Sequence, residues 1–426
     1  MKIKSFGAGL LVLALAGTLC SCDNTEIRSV TLPRVSTKGI TAFVYTGEEA
    51  EETEEPEETA VSLQTTKSIQ TEAVSEITYT CETTAVAIPT EETKASVTEA
   101  APATTAETTA PTAAETAAVT TAGNPALNGY NVIGENGILV SYIDGHYWGL
   151  MPCFGTYGLC DGWIESVNAF AKKLPDVNVY NMIAPTSSEF YTPAGYESFT
   201  VSQYNKISYV AEGLKGVTDV DVYSALKAHT DEPIFARTDH HWQPLGAYYA
   251  AKAFSETADF DFPDLSEYKK VTMGGYVGSM YSYSKDRHLY NDPEDFVMYI
   301  PPNNDKLKTT YYNSYFSNGY SGELFTAPSG AAYYCSFLGT DQIIAEIKTN
   351  VKNGRTLVMF KESYGNGVVP FLTSGFEKIY VCDIRYFNLN AVDFCKSVGA
   401  TDLVFSVCTY TPAGTNGKYL KIIMNN

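Results

Sequence analysis

Asp239-His240-His241-Trp242 sets a carboxylate two residues from an imidazole, and Phe360-Lys361-Glu362-Ser363-Tyr364-Gly365-Asn366 brings a serine to the end of an apolar run. Together these are the parts of a nucleophilic site. In an extended chain alternate side chains share a face, so Asp239 would orient His241 and stabilise its imidazolium while His240 points the other way or pairs with something else. Ser363 would be the nucleophile, exposed by a sharp strand-to-helix turn whose backbone N–H groups can hold an oxyanion. Each segment also has a plainer reading. An acidic residue beside histidines serves structural hydrogen-bond networks, or a metal site if other ligands join it, and serine is a favoured helix N-cap.

Open α/β sheets place reactive groups at the carboxyl ends of their strands, so the elements around these segments decide between the readings. Val177–Ala184 reads as a buried strand, Gln203–Gly213 as a helix and Asp219–Tyr223 as a second strand. Pro244 opens an Ala/Tyr-rich helix to about Thr257, with proline in the first turn as helix starts allow. A tyrosine-rich stretch from Tyr268 to Tyr334 suggests hairpins and loops. Regular alternation then returns: strand Thr356–Phe360, helix Gly365–Thr373, strand Lys378–Cys382, helix Asn390–Val398 and strand Asp402–Val407. Short apolar strands separated by helices indicate a mostly parallel sheet covered on both faces, a three-layer α/β/α sandwich.

The N-terminal part of the chain is different material. Lys2 and Lys4 precede an apolar run from Phe6 to Leu19, which at about 14 residues is short of the ~20 that a bilayer span requires and matches a signal-peptide core. It ends in Leu19-Cys20-Ser21-Cys22, resembling a bacterial lipobox with Cys22 as the acylated residue. Residues 1–22 are therefore read as a lipoprotein signal. Residues 23–127 carry 18 acidic and 5 basic side chains among Thr, Ala, Ser and Pro, with too little apolar surface to offset chain entropy. They read as a disordered tether, and 128–426 as the folded domain. The net charge of −20, and the absence of any Lys/Arg cluster, argue against a nucleic-acid partner. Six cysteines fall in the domain; Cys153 and Cys160 are near enough to pair, and Cys382, Cys395 and Cys408 sit in apolar segments suited equally to buried thiols. With five histidines and no C-x-x-C pair, neither a zinc site nor any other cofactor is expected.

Asp239-His240-His241-Trp242, the Phe360–Asn366 segment, Val381-Cys382-Asp383-Ile384-Arg385-Tyr386-Phe387 and the stretch around Ala184-Pro185-Thr186 together resemble the bacterial DHHW protein family. That family is in turn similar to the SGNH-hydrolase-like domains of alginate O-acetyltransferases. The resemblance implies a triad of Ser363, His241 and Asp239, in a chain order permuted from ordinary SGNH enzymes. Asn366 and Gly278 become candidates for oxyanion contacts and Trp242 for the substrate site. Arg385, just after the strand that follows the serine helix, is placed either to bind an anionic or polar substrate group or to form a structural salt bridge. One departure stands out: Glu362 occupies the position before the serine where the resembling motif has Asp.

The expected function is an acyl-ester enzyme on the extracytoplasmic face of the membrane, an O-acetyltransferase or esterase acting on cell-wall or exopolysaccharide hydroxyls. A membrane O-acyltransferase is the expected acyl donor. The competing expectation is a catalytically silent glycan-binding or adhesion lipoprotein on the same fold, which the tether and the abundant tyrosines also suit.

Overall fold

The computed structural model describes residues 129–426 apart from 328, 329, 340 and 342. The signal segment with Cys22 and the 23–127 tether lie outside the described residues. Among the described residues no helix is long and apolar enough to cross a membrane.

The sequence opens the domain with a small antiparallel sheet, β1 (Asn131–Ile133), β2 (Leu139–Ile143) and β3 (His146–Leu150). The main sheet is built from β4 (Asn178–Ala184), β5 (Thr218–Asp219), β8 (Lys308–Tyr312), β9 (Tyr320–Gly322), β10 (Ile344–Lys348), β11 (Thr356–Lys361), β12 (Lys378–Asp383) and β13 (Asp402–Cys408). Its spatial order is β5-β4-β13-β11-β12-β10-β8-β9. The first five strands run parallel; β10, β8 and β9 extend the sheet antiparallel. Between them in sequence, β6 (Lys269–Tyr276) and β7 (Glu294–Ile300) pair only with each other.

Every residue of β11 and β13 is buried, the pattern of strands covered on both faces. Alternate residues sort to opposite layers. Met182, Val404, Leu357, Met359 and Val381 pack with the helix Pro244–Ala258. Ile183, Leu403, Phe405, Val358 and Phe360 pack with the helices Asp161–Lys173, Gln203–Gly213 and Ala391–Ser397. The architecture is the expected α/β/α sandwich with a mostly parallel sheet.

The strands and long helices fall within a residue or two of their expected limits. Two expectations change. The Asp219–Tyr223 strand is only two residues long, because Asp221 caps a helix at Val222–Lys227 by accepting from Ser224 N–H. The helix expected over Gly365–Thr373 breaks into Ser363–Asn366 and a 3-10 turn at Val369–Leu372, where Pro370 cannot continue an α-helical ladder. Cys153, Cys160, Cys382, Cys395 and Cys408 are free and buried. Cys153 and Cys160 thus do not pair; Cys153 Sγ instead receives the buried Lys206 ammonium at 3.1 Å.

Candidate functional site

The parallel strands deliver their carboxyl ends to one edge, and Ser363 stands there, two residues past the end of β11. It is not the helix cap. Glu362 takes that position, its side chain accepting from Tyr364 N–H at 3.0 Å through Oε2, which leaves the serine hydroxyl for other partners. Glu362 Oε1 meanwhile accepts from Cys408 N–H at the end of β13, at 2.7 Å. The residue that departs from the motif therefore ties the serine turn to the neighbouring strand. Glu362 Oε2 also lies 3.2 Å from Ser363 Oγ.

The histidine segment comes from outside the main sheet. It is not extended: Phe235 and Trp242 form an antiparallel bridge, Gln243 N–H donates to Ile234 O, and the residues between them make a closed loop. Asp239 still orients His241, by folding back so that its Oδ1 accepts from both the His241 N–H (3.0 Å) and Nδ1 (2.6 Å). That bond puts the proton on Nδ1 and makes Nε2 an acceptor. Nε2 lies 2.8 Å from Ser363 Oγ, across 122 residues of chain. His240 pairs with a different hydroxyl. Its ring packs on that of His241 with centroids 3.8 Å apart, and its Nδ1 lies 2.6 Å from Ser279 Oγ.

Several residues hold this loop that sequence reasoning did not find. Glu294 accepts from Thr238 N–H and Oγ1 (both 2.7 Å), Arg237 N–H (3.0 Å) and Gln243 Nε2 (3.1 Å). The Tyr334 ring lies flat on His241 at 3.8 Å and 6°. Asp239 Oδ2 accepts from Ser279 N–H at 2.7 Å. Burial by itself raises the Asp239 carboxyl; the adjacent imidazoles of His240 and His241 and these hydrogen bonds outweigh it and hold the group below its ordinary value. No local pattern marks Glu294 or Tyr334, since each arrives from a separate part of the irregular middle region.

The remaining candidates fare unevenly. Trp242 is 1% exposed and donates from Nε1 to Tyr334 Oη and Tyr364 O, so it supports the serine helix from beneath and does not face substrate. Gly278 donates its N–H to Thr238 Oγ1, which engages the amide expected at an oxyanion. Its backbone is ordinary extended chain (φ −89°), so conformational freedom is not why it is glycine. The reason is space: a Cβ there would lie 2.3 Å from Asp239 Oδ2 and 2.4 Å from Asp239 Cβ. Gly278→Ala should therefore displace the carboxylate, lowering turnover about 100-fold, the scale of a misplacement near 1 Å. Steady-state kinetics beside a circular-dichroism melt would test this; unchanged turnover counts against the packing argument.

Arg385 is engaged by Asp383 through Nε (2.8 Å) and Nη2 (2.7 Å), and by Asp341 through Nη2 (2.7 Å). Lys361, fully buried, lies 2.8 Å from Asp383 Oδ2 and 3.2 Å from Asp341 Oδ1. Two cations and two carboxylates thus balance beside the serine helix, and Arg385 belongs to that network. Asn366 lines the same cleft as Ser363, His241 and Gly278. The ligand-capable atoms of Asp239, His240 and His241 lie within 4.8 Å of one another. A cation there would have to break the serine–histidine–aspartate chain of hydrogen bonds, whose atoms it would share.

A three-layer α/β domain thus carries a buried Ser-His-Asp constellation at the carboxyl edge of its parallel strands. Residues 58–382 match the family described as DHHW protein, and the chain belongs to that family. It is similar to a DHHW family protein from Eubacterium siraeum solved by crystallography, with 44% identity over 68% of this chain and 98% of that one and a TM-score of 0.65. The fold is also shared with Bacillus cereus PatB1 carrying a sulfonyl adduct, at 15% identity, 66% and 98% coverage and a TM-score of 0.56. A second PatB1 structure gives 14% identity, 66% and 99% coverage and a TM-score of 0.54. No curated protein matches the sequence.

Proposed function

We propose that the protein is a serine-dependent acyl-ester enzyme, an O-acetyltransferase or esterase for cell-wall or exopolysaccharide hydroxyls. The observation that carries this is the unbroken chain from Ser363 Oγ to His241 Nε2 (2.8 Å) and from His241 Nδ1 to Asp239 Oδ1 (2.6 Å). His241 takes the serine proton as Oγ attacks the ester carbonyl, and returns it to the departing alkoxide. This leaves an acyl-serine and a free alcohol. Asp239 fixes the tautomer and stabilises the imidazolium. A sugar hydroxyl or water, deprotonated by the same imidazole, then attacks the acyl-serine, giving transfer or hydrolysis respectively. A membrane O-acyltransferase would supply the acyl group.

The test is covalent capture. A sulfonyl fluoride or fluorophosphonate should label the domain at Ser363, and a chromogenic acetyl ester should turn over. If the wild type takes no label and cleaves no ester, the chemistry is absent and the glycan-binding reading replaces it.

The protein would work at the outer face of the cell membrane, held by acyl chains on Cys22 and extended by the acidic segment behind it; two acyl chains are what stable anchoring requires. Mass spectrometry of the mature protein should find a diacylglyceryl-modified Cys22 at its N-terminus, and Cys22→Ala should release the protein from membranes. A mature N-terminus elsewhere would remove the anchor from the proposal.

A further inference from the structure

Asn366 follows Ser363 by three residues, on the same side of the short helix, and lines the same cleft. It is 3% exposed. Its Nδ2 donates to Asp341 Oδ1 at 2.8 Å, and this fixes the amide, because the reverse orientation would set a carbonyl oxygen against a carboxylate. The free edge is then Oδ1, which is buried and has no hydrogen-bond partner. Buried acceptors are almost always paired. Of the four buried side-chain polar atoms without a partner among the described residues, this one belongs to the helix that carries the nucleophile.

We propose, building on the acyl-ester reading of the site, that Asn366 Oδ1 accepts a hydrogen bond from a substrate hydroxyl near the acylated oxygen. The site would then prefer esters of polyhydroxylated molecules to esters of simple alcohols. The chemistry of the atom is selective. A carbonyl oxygen pairs only with a donor; an acetyl group has none, whereas a sugar carries several close to any ester oxygen. Arg385 and Lys361 are committed to Asp341 and Asp383, so the neighbouring charges balance and a neutral hydroxyl suits the position better than an anionic group. A site that pairs a substrate hydroxyl discriminates strongly against analogues that lack it.

The experiment compares kcat/KM for methyl 6-O-acetyl-glucoside with that for p-nitrophenyl acetate, in the wild type, Asn366→Leu and Asn366→Ala. Leucine removes the acceptor at similar volume; alanine is the second variant should the first not fold. The sugar-to-phenyl ratio should fall about 10- to 100-fold on loss of the acceptor. A ratio that stays constant while both rates fall assigns Asn366 to the geometry of the serine and overturns the subsite. An unchanged ratio with unchanged rates overturns it too, leaving an oxygen that only water satisfies. A wild type that cleaves the phenyl ester but not the sugar ester does the same. If the wild type cleaves neither ester and takes no covalent label, the acyl-ester reading is what fails. Titration with methyl glucoside followed by NMR then judges the subsite alone: saturable binding lost in Asn366→Leu supports it, and equal or absent binding overturns it.

Discussion

Ser363→Ala should eliminate covalent labelling and bring ester turnover down to the background rate, and His241→Ala should do the same. Each removes one end of the 2.8 Å contact on which proton transfer depends. In hydrolases using this mechanism such a loss is on the order of 10⁶-fold for serine or histidine and about 10⁴-fold for the aspartate. Asp239→Asn should accordingly cost less than either, since the amide still reaches Nδ1 but favours the wrong tautomer. Combining Ser363→Ala with His241→Ala should add little to either alone, because the two residues act as a unit. The fold should survive, as Ser363 fills a small volume and His241 is held from outside the main core. Labelling that persists in Ser363→Ala would move the nucleophile elsewhere, and Glu362, 3.2 Å from the serine hydroxyl, would be the next residue to replace.

Lys361→Met should destabilise the domain by about 3–5 kcal/mol, the usual penalty for removing one partner of a buried ion pair. Lys361 is fully buried. Burial alone would lower its ammonium; Asp383 and Asp341 outweigh that and hold it above its ordinary value, so it stays charged. Without it, Asp341 and Asp383 share one cation, Arg385, and a carboxylate is left uncompensated. Most of that penalty should disappear in the double variant Lys361→Met with Asp383→Asn. Equilibrium urea unfolding reads both, and a single variant as stable as the wild type would show that the network contributes nothing. The effect should reach the nucleophile, because a Cβ on Gly365 would lie 2.5 Å from Lys361 Cβ, placing the serine helix directly on the lysine. Acid should act on the same network. Burial raises the Asp341 carboxyl, but Lys361 and Arg385 hold it below its ordinary value. Its contribution is therefore fully present above an unfolded Asp pKa of about 4 and is lost as pH falls through the lower folded value.

The sheet was readable from the chain because its strands are buried on both faces and so stand out as short apolar runs; β4, β11, β12 and β13 illustrate this. Lys361 closes one such run, and a buried lysine at the end of a doubly covered strand is itself a signal that a carboxylate must be near. The two halves of the site could be proposed only as separate segments. Spacing says nothing about a contact across 122 residues, and the resemblance to the family supplied the pairing. What remained hidden came from the tyrosine-rich middle. Glu294 and Tyr334 support the histidine loop through tertiary contacts with no period to betray them, and the hairpin of β6 and β7 pairs with itself, outside the sheet that organises the rest. Trp242 was misplaced for a related reason: its position in the motif reflects packing beneath the serine helix, not contact with substrate.

The two outermost strands of the main sheet are stubs, β5 of two residues and β9 of three. A long, flat, unpaired strand is a template on which another chain can add its own. Here each flank offers only a few open backbone groups before the chain turns away, and Tyr320 leaves β9 with a bulky exposed ring. Two main sheets brought edge to edge would therefore find little ladder to extend at either flank.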